Sequence, residues 1–183
     1  MALRVEIYTN GGMAGGILAT NGSLREALSS GERLQLAGAI WQGLEDPAPR
    51  PAGTVDVDVD EVLFAVADDA PDGPVHATWH HVLLDSGPYR LEGELATMPG
   101  FDPGRSLARP SGEFVLLREV RLSLRDRPEA GVSAGDHALV NRYAVEQIQA
   151  ELMLAFFFPG AAVTPSASAG AGLRAPHAVG GIA

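Results

Sequence analysis

The chain has 183 residues, 46% of them apolar, and a formal net charge of −10. That is enough apolar material for one ordinary domain or two small ones, and too much for a chain disordered throughout. It has no cysteine and 13 cations, all arginine; disulfides, thiolate nucleophiles and cysteine-type zinc sites are excluded, and the negative charge opposes a phosphate backbone unless the arginines gather on one face.

In chain order, Leu3, Val5 and Ile7 alternate with Arg4, Glu6 and Tyr8, which predicts a half-buried strand. Asn10-Gly11-Gly12 predicts a tight hairpin, and Met13 to Thr20 the returning strand. Gly15-Gly16 allow that strand to bend sharply or another backbone to come close. Neither a P-loop lysine nor a directly following helix accompanies them, so the glycines read as a barrel corner and not a phosphate cradle. Ser23-Leu24-Arg25-Glu26 matches a capping box; it opens a short helix with Leu24, Ala27 and Leu28 on one face, ending near Ser30-Gly31. Arg33 to Leu44 reads as a long strand with a bulge around Ala37-Gly38-Ala39. Asp46 to Gly53 is a loop on composition. From Val55 to Asp60 valine alternates with aspartate. An EF-hand loop needs a glycine after its third acidic ligand and a later glutamate, so these carboxylates are expected to face water. Val62 to Ala67 is a buried strand that closes a first unit, residues 1–70.

A proline-rich acidic linker, residues 71–76, separates this unit from its copy. Val5 to Thr20 aligns without a gap onto Val82 to Thr97, 77 positions later; the two end in Gly16-x-Leu18-Ala19-Thr20 and Gly93-x-Leu95-Ala96-Thr97. Gly16 and Gly93 are therefore read as equivalent structural glycines. In the second unit, residues 77–159, Trp79 to Leu84 and Tyr89 to Thr97 are strands, and Met98 to Pro110 is a loop where the first unit has its helix. Glu113 to Leu124 is the long strand, at an offset of 80, and Arg125 to Gly131 is a turn. Val140, Asn141 and Val145 follow Val57, Asp58 and Val62 by 83 positions. Over Tyr143 to Leu154 the spacing of Ala144, Ile148 and Leu152 favours a helix and the repeat favours a strand; the segment is read as a strand breaking into a short helix. Residues 160–183, nearly without bulky side chains, are expected to be a disordered tail.

These features predict an all-β chain with minor α content: two tandem small antiparallel barrels of about 75 residues each. The first copy resembles the Sm-like family. Asn10-Gly11, Gly16 and Leu18 fit the spacing of that family's first motif; Gly87, Gly93 and Leu95 fit it in the second copy without the acidic or amide residue. The duplicated whole also resembles a two-repeat bacterial family. The Sm-like positions that contact RNA fall here on Gly22 and Glu26, and in the second copy on Pro99 and Pro103. The second motif falls near Val57-Asp58-Val59 and Val140-Asn141-Arg142, with no basic-Gly pair. The resemblance therefore implies a barrel and no activity.

Few residues point to chemistry. His76, His80 and His81 are close in sequence, but on a strand His80 and His81 face opposite sides, so with or without His137 they do not make a convergent metal site. No serine or threonine lies in a nucleophile motif. Up to position 75 there are 4 arginines and 12 acids, and from 76 to 159 there are 8 and 11. Arg118, Arg121 and Arg125 in the richer half mark either an anion or nucleic-acid face or a salt-bridged strand surface. Without interleaved aromatics the latter is favoured, and nucleic acid is not an expected partner. No cofactor and no metal is expected. No apolar run approaches the roughly 18 residues of a membrane span, and no secretory signal pattern opens the chain, so a cytoplasmic protein without membrane contact is expected. The expected role is a non-catalytic scaffold or protein-interaction module. The alternatives are a ligand- or nucleic-acid-binding module on the arginine strand and a small carboxylate-based enzyme. Unpaired strand edges and the apolar run Phe156, Phe157, Phe158 predict a homo-oligomer or a protein partner, with these phenylalanines at the interface.

Overall fold

A computed structural model describes residues 2–69, 76–98, 112–132 and 135–166. The linker before His76, the loop 99–111 and the tail beyond residue 166 lie outside the described residues. The protein is mostly β-structure with one α-helix. Its strands are β1 (Ala2–Thr9), β2 (Gly12–Ala19), β3 (Leu34–Gly43), β4 (Arg50–Val57), β5 (Phe64–Ala67), β6 (Thr78–Ser86), β7 (Tyr89–Thr97), β8 (Phe114–Leu124), β9 (Arg127–Val132), β10 (His137–Asn141), β11 (Val145–Ala150) and β12 (Ala162–Pro165). Helix α1 (Leu24–Ser29) carries the expected capping box: Ser23 accepts from the Glu26 amide, and Glu26 reaches back to the Ser23 amide.

All twelve strands join one sheet, in the order β12-β11-β6-β7-β8-β10-β5-β1-β2-β3-β4, with β9 added beside β10 on β8. The duplication is visible residue by residue in the pairing. Val5 faces Gly16, and Val82 faces Gly93. Ile7 faces Ala65 and Leu84 faces Ile148, so β5 and β11 are equivalent. Leu34 faces Val57 and Val115 faces Val140, so β4 corresponds to β9 and β10 together. The two units meet where β10 of the second pairs antiparallel with β5 of the first, Leu139 facing Ala65 and Val140 facing Phe64.

Strands near this junction are buried on both sides, and successive residues along them enter two different cores. Ile7, Ala65, Phe114, Leu116 and Leu139 belong to one core; Tyr8, Phe64, Val115, Leu117 and Val140 belong to the other. This explains the unbroken apolar run from Val62 to Val66, since a strand covered on both faces has no polar side. The two cores lie on opposite faces of this shared wall, and each takes residues from both sides of positions 71–76. Tyr8 stacks on Phe64 at 4.3 Å between ring centres, and Tyr89 meets both rings edge-on at 5.5 and 5.3 Å. Each such contact adds roughly 0.5–1.5 kcal/mol beyond the area buried.

The all-β expectation holds, and the strands of both units join in one continuous sheet. Other expectations are corrected. The long strand of the second unit lies 81 positions after its counterpart: Leu36 faces Leu18, and Leu117 faces Leu95. The loop predicted to Gly53 ends earlier, since Arg50 to Gly53 already pair with β3; Pro51 fits there because β4 has an unpaired outer edge. Arg127 to Val132 form strand β9, so the predicted turn reduces to Arg125-Asp126. The segment after Tyr143 is a strand followed by a 3-10 turn at Leu152–Phe157, as read from the sequence. Within the stretch expected to be a disordered tail from residue 160, Ala162 to Pro165 add to β11 in parallel as β12.

Candidate functional site

Of the arginines on or just after β8, Arg118 and Arg125 are engaged by carboxylates. Across β7 and β8 the register sets Glu94 beside Arg118 and Glu92 beside Arg121. Arg118 Nε donates to Glu94 Oε2 at 2.7 Å, and its guanidinium also lies 3.9 Å from the Trp79 ring centre. Arg125 Nη1 donates to Glu146 Oε2 at 2.8 Å and to the Gly87 carbonyl at 3.0 Å. Arg121 is exposed. Two of the three cations are thus held by carboxylates on a strand surface. Such pairs contribute little to stability individually.

The histidines diverge as their strand positions require. His80 lies 2.9 Å from Thr97 Oγ1 and 3.6 Å from Glu151, whereas His81 meets Glu92 at 2.9 Å. Among the described residues no three His, Asp or Glu side chains could hold a metal ion together. Asp85, 4% exposed, is clamped by Arg90 through two bonds of 2.7 and 2.8 Å. That fork-on-carboxylate geometry is a structural anchor for the hairpin β6–β7. The alternating aspartates face water: Asp58 pairs with Arg33 and Asp56 accepts from Gln35, while Val57 and Val59 are buried. Phe157 and Phe158 are buried in their own core and Phe156 is half-buried.

Two features then remain for recognition. The first is the pair of sheet ends. At one end β12 occupies the outer edge of β11; at the other, β4 pairs among the described residues with β3 alone, and its residues from Arg50 to Thr54 are exposed. Arg50 to Gly53 are blunted as an edge by Pro51 and by Gly53, whose left-handed backbone (φ 70°) marks a register shift. Thr54 to Val57 are the regular part, flanked by Asp56 and Asp58. The second is a cavity of about 170 Å³ at the junction of the units, lined by the start of α1 and by residues of β5, β8 and β10.

Comparison with protein-family models, curated proteins and solved structures finds no match. Sequence reasoning missed the first half of β4 because its proline and glycine read as loop. It missed the cavity because Arg25, Asp69 and His137 come from three separate segments. A small residue where the repeat has a large one, Ala65 against Ile148, was the signal available for it.

Proposed function

We propose that the protein is a non-catalytic interaction module. It presents the free edge of β4 to an extended segment of a partner, a second copy of the chain included. The observation that supports this most directly is the junction inside the chain. There, the counterpart of β4 in the second unit already pairs edge to edge with β5 of the first. Main-chain pairing of this kind supplies affinity, and alternate side chains supply selection. In this reading each curled half of the sheet is a small barrel of the Sm-like kind. The repeated order β4-β3-β2-β1-β5 and β10-β8-β7-β6-β11 supports it. Asp56 and Asp58 beside the edge favour a segment carrying basic residues.

The test places a photo-reactive residue at Thr54 and maps its cross-links by mass spectrometry in extracts of the native cell. Cross-links to one extended segment are expected, lost when proline at Val55 or at Asp56, whose amides point to opposite sides, removes an outward main-chain donor. Scattered cross-links, or cross-links indifferent to both prolines, would overturn the proposal.

A further inference from the structure

The junction cavity is formed by a difference between the two units. Ala65 on β5 occupies the position that Ile148 occupies on β11, as the pairings Ile7 with Ala65 and Leu84 with Ile148 establish. Ile148 is buried in its core. In the first unit the smaller side chain, with Ala67 and Ala138, leaves an apolar floor completed by Leu24, Leu116 and Leu139. Three polar side chains meet over that floor. Arg25 spends one N–H on the Phe114 carbonyl, at 3.0 Å, and has no carboxylate partner among the described residues. Asp69 accepts one bond, from the Leu24 amide at 3.2 Å. The His137 ring makes no hydrogen bond among the described residues. Arg25 is half-buried, and burial holds its guanidinium below its usual range.

A half-buried cation and a carboxylate that keep most of their hydrogen-bonding capacity in one cavity leave that capacity to water or to a ligand. A simple carboxylic acid would pair with Arg25 but meet the charge of Asp69. A simple amine would have the opposite conflict. A molecule bearing both groups satisfies both walls, and like-charge conflict rejects the others. The volume, about 170 Å³, is below the roughly 300 Å³ of the smallest drug-sized pockets. It holds about six waters' worth of matter. We propose that this cavity binds a small zwitterion with an aliphatic body, of the class of a branched α-amino acid. Its carboxylate lies on Arg25, its ammonium on Asp69 and its hydrocarbon on Ala65 and Leu139, with His137 as a further hydrogen-bonding group. This site is independent of the β4 edge.

The test is titration of the full chain, followed by amide chemical shifts, with leucine and valine and with the matching acids and amines that lack one of the two charged groups. Saturable shifts centred on α1, β5 and β10 are expected for the amino acids, with the singly charged analogues at least about tenfold weaker. Ala65→Ile, which installs the residue that the second unit tolerates at this position, is expected to abolish binding while the thermal transition is retained. Should that variant fail to fold, Arg25→Met and Asp69→Asn serve in its place, each expected to weaken binding by about tenfold or more. Absence of saturable shifts with any amino acid, or binding unchanged in Ala65→Ile or in the two charge variants, overturns the proposal.

Discussion

Glu119 holds a left-handed backbone, φ 53°, at the position where the first unit has Gly38 at φ 58°. Both residues sit in the bulge of the long strand, where the register skips opposite Gly93 and Gly16. The conformation costs an L-residue roughly 1–2 kcal/mol, and glycine almost nothing. Glu119→Gly is therefore expected to raise stability by about 1 kcal/mol, after the entropy of the extra glycine, and Gly38→Glu to lower it by a similar amount. Urea midpoints at unchanged slope measure both. The first bulge was legible because Gly38 breaks the alternation. The second was hidden under a glutamate, and for that reason the strands were aligned one residue out of step. Gly16 and Gly93 were legible because the repeat spells them identically, and the structure gives the reason for them. A Cβ on Gly16 would lie 3.0 Å from the Leu36 Cβ and 3.2 Å from the Ala37 carbonyl; on Gly93 it would lie 3.0 Å from the Arg118 carbonyl, the residue equivalent to Ala37. Valine at either site should cost roughly 1–3 kcal/mol through clash with backbone. Variants that melt within a degree of the parent would show that the close approach has no energetic weight.

Strands whose side chains carry the pattern were legible as elements, and strands formed mainly through their backbones were not. β1, β2, β6, β7 and β8 alternate or run apolar, and their residues fill the cores. β4 begins Arg50-Pro51-Ala52-Gly53, β9 begins Arg127-Pro128, and β12 is Ala162 to Pro165 with every residue exposed. Such segments pair because a neighbouring edge offers hydrogen bonds, which no local pattern records. The hairpin β6–β7 opposes β1 and β5 through the ring cluster, and that contact sets a pH dependence. Burial pushes the Tyr89 hydroxyl up to about 12 from 10.0. Tyr8, buried and donating to Glu6 Oε2 at 2.7 Å, is raised as well, by desolvation first and by the Glu6 charge second. Both groups are acids whose neutral form the fold prefers. Their contribution is complete below pH 10, where the unfolded chain also keeps the protons, and is lost as pH rises through 10 toward 12. For Tyr89 this is on the order of 3 kcal/mol. Denaturation midpoints should hold steady from pH 8 to 9 and fall steeply above 10, and Tyr89→Phe should flatten part of that fall. An equal fall in the variant would assign the loss to other groups.

At the scale of the molecule, duplication has produced a sheet with two non-equivalent ends. β4 is the counterpart of β10, and β11 is the counterpart of β5, whose outer edge accepts β10 inside the chain. Were β11 bare, β4 of a second copy could add to it as β10 adds to β5. Such a contact joins two different surfaces, so it propagates into rings or filaments in place of closing on itself. β12 prevents this by covering Gln147 to Ala150 with Ala162 to Pro165. Intramolecular cover of an edge is one of the ways that natural sheets avoid unwanted pairing. Removing residues 160–183 is expected to free β11 and make the mean mass by light scattering rise with concentration over a tenfold range, more steeply than for the intact chain. Truncation also uncovers apolar surface beside the 3-10 turn at Leu152–Phe157, which β12 touches, so growth alone does not identify the contact. A proline at Thr54 or at Val55 does. Successive residues of β4 point their amides to opposite sides, so one of the two substitutions removes an outward donor. If growth of the truncated chain is blocked by one of these prolines and not by the other, the two ends meet as β5 and β10 do. If it persists in both, the exposed apolar surface drives it and β12 serves as a lid for the core, not as a guard for the edge.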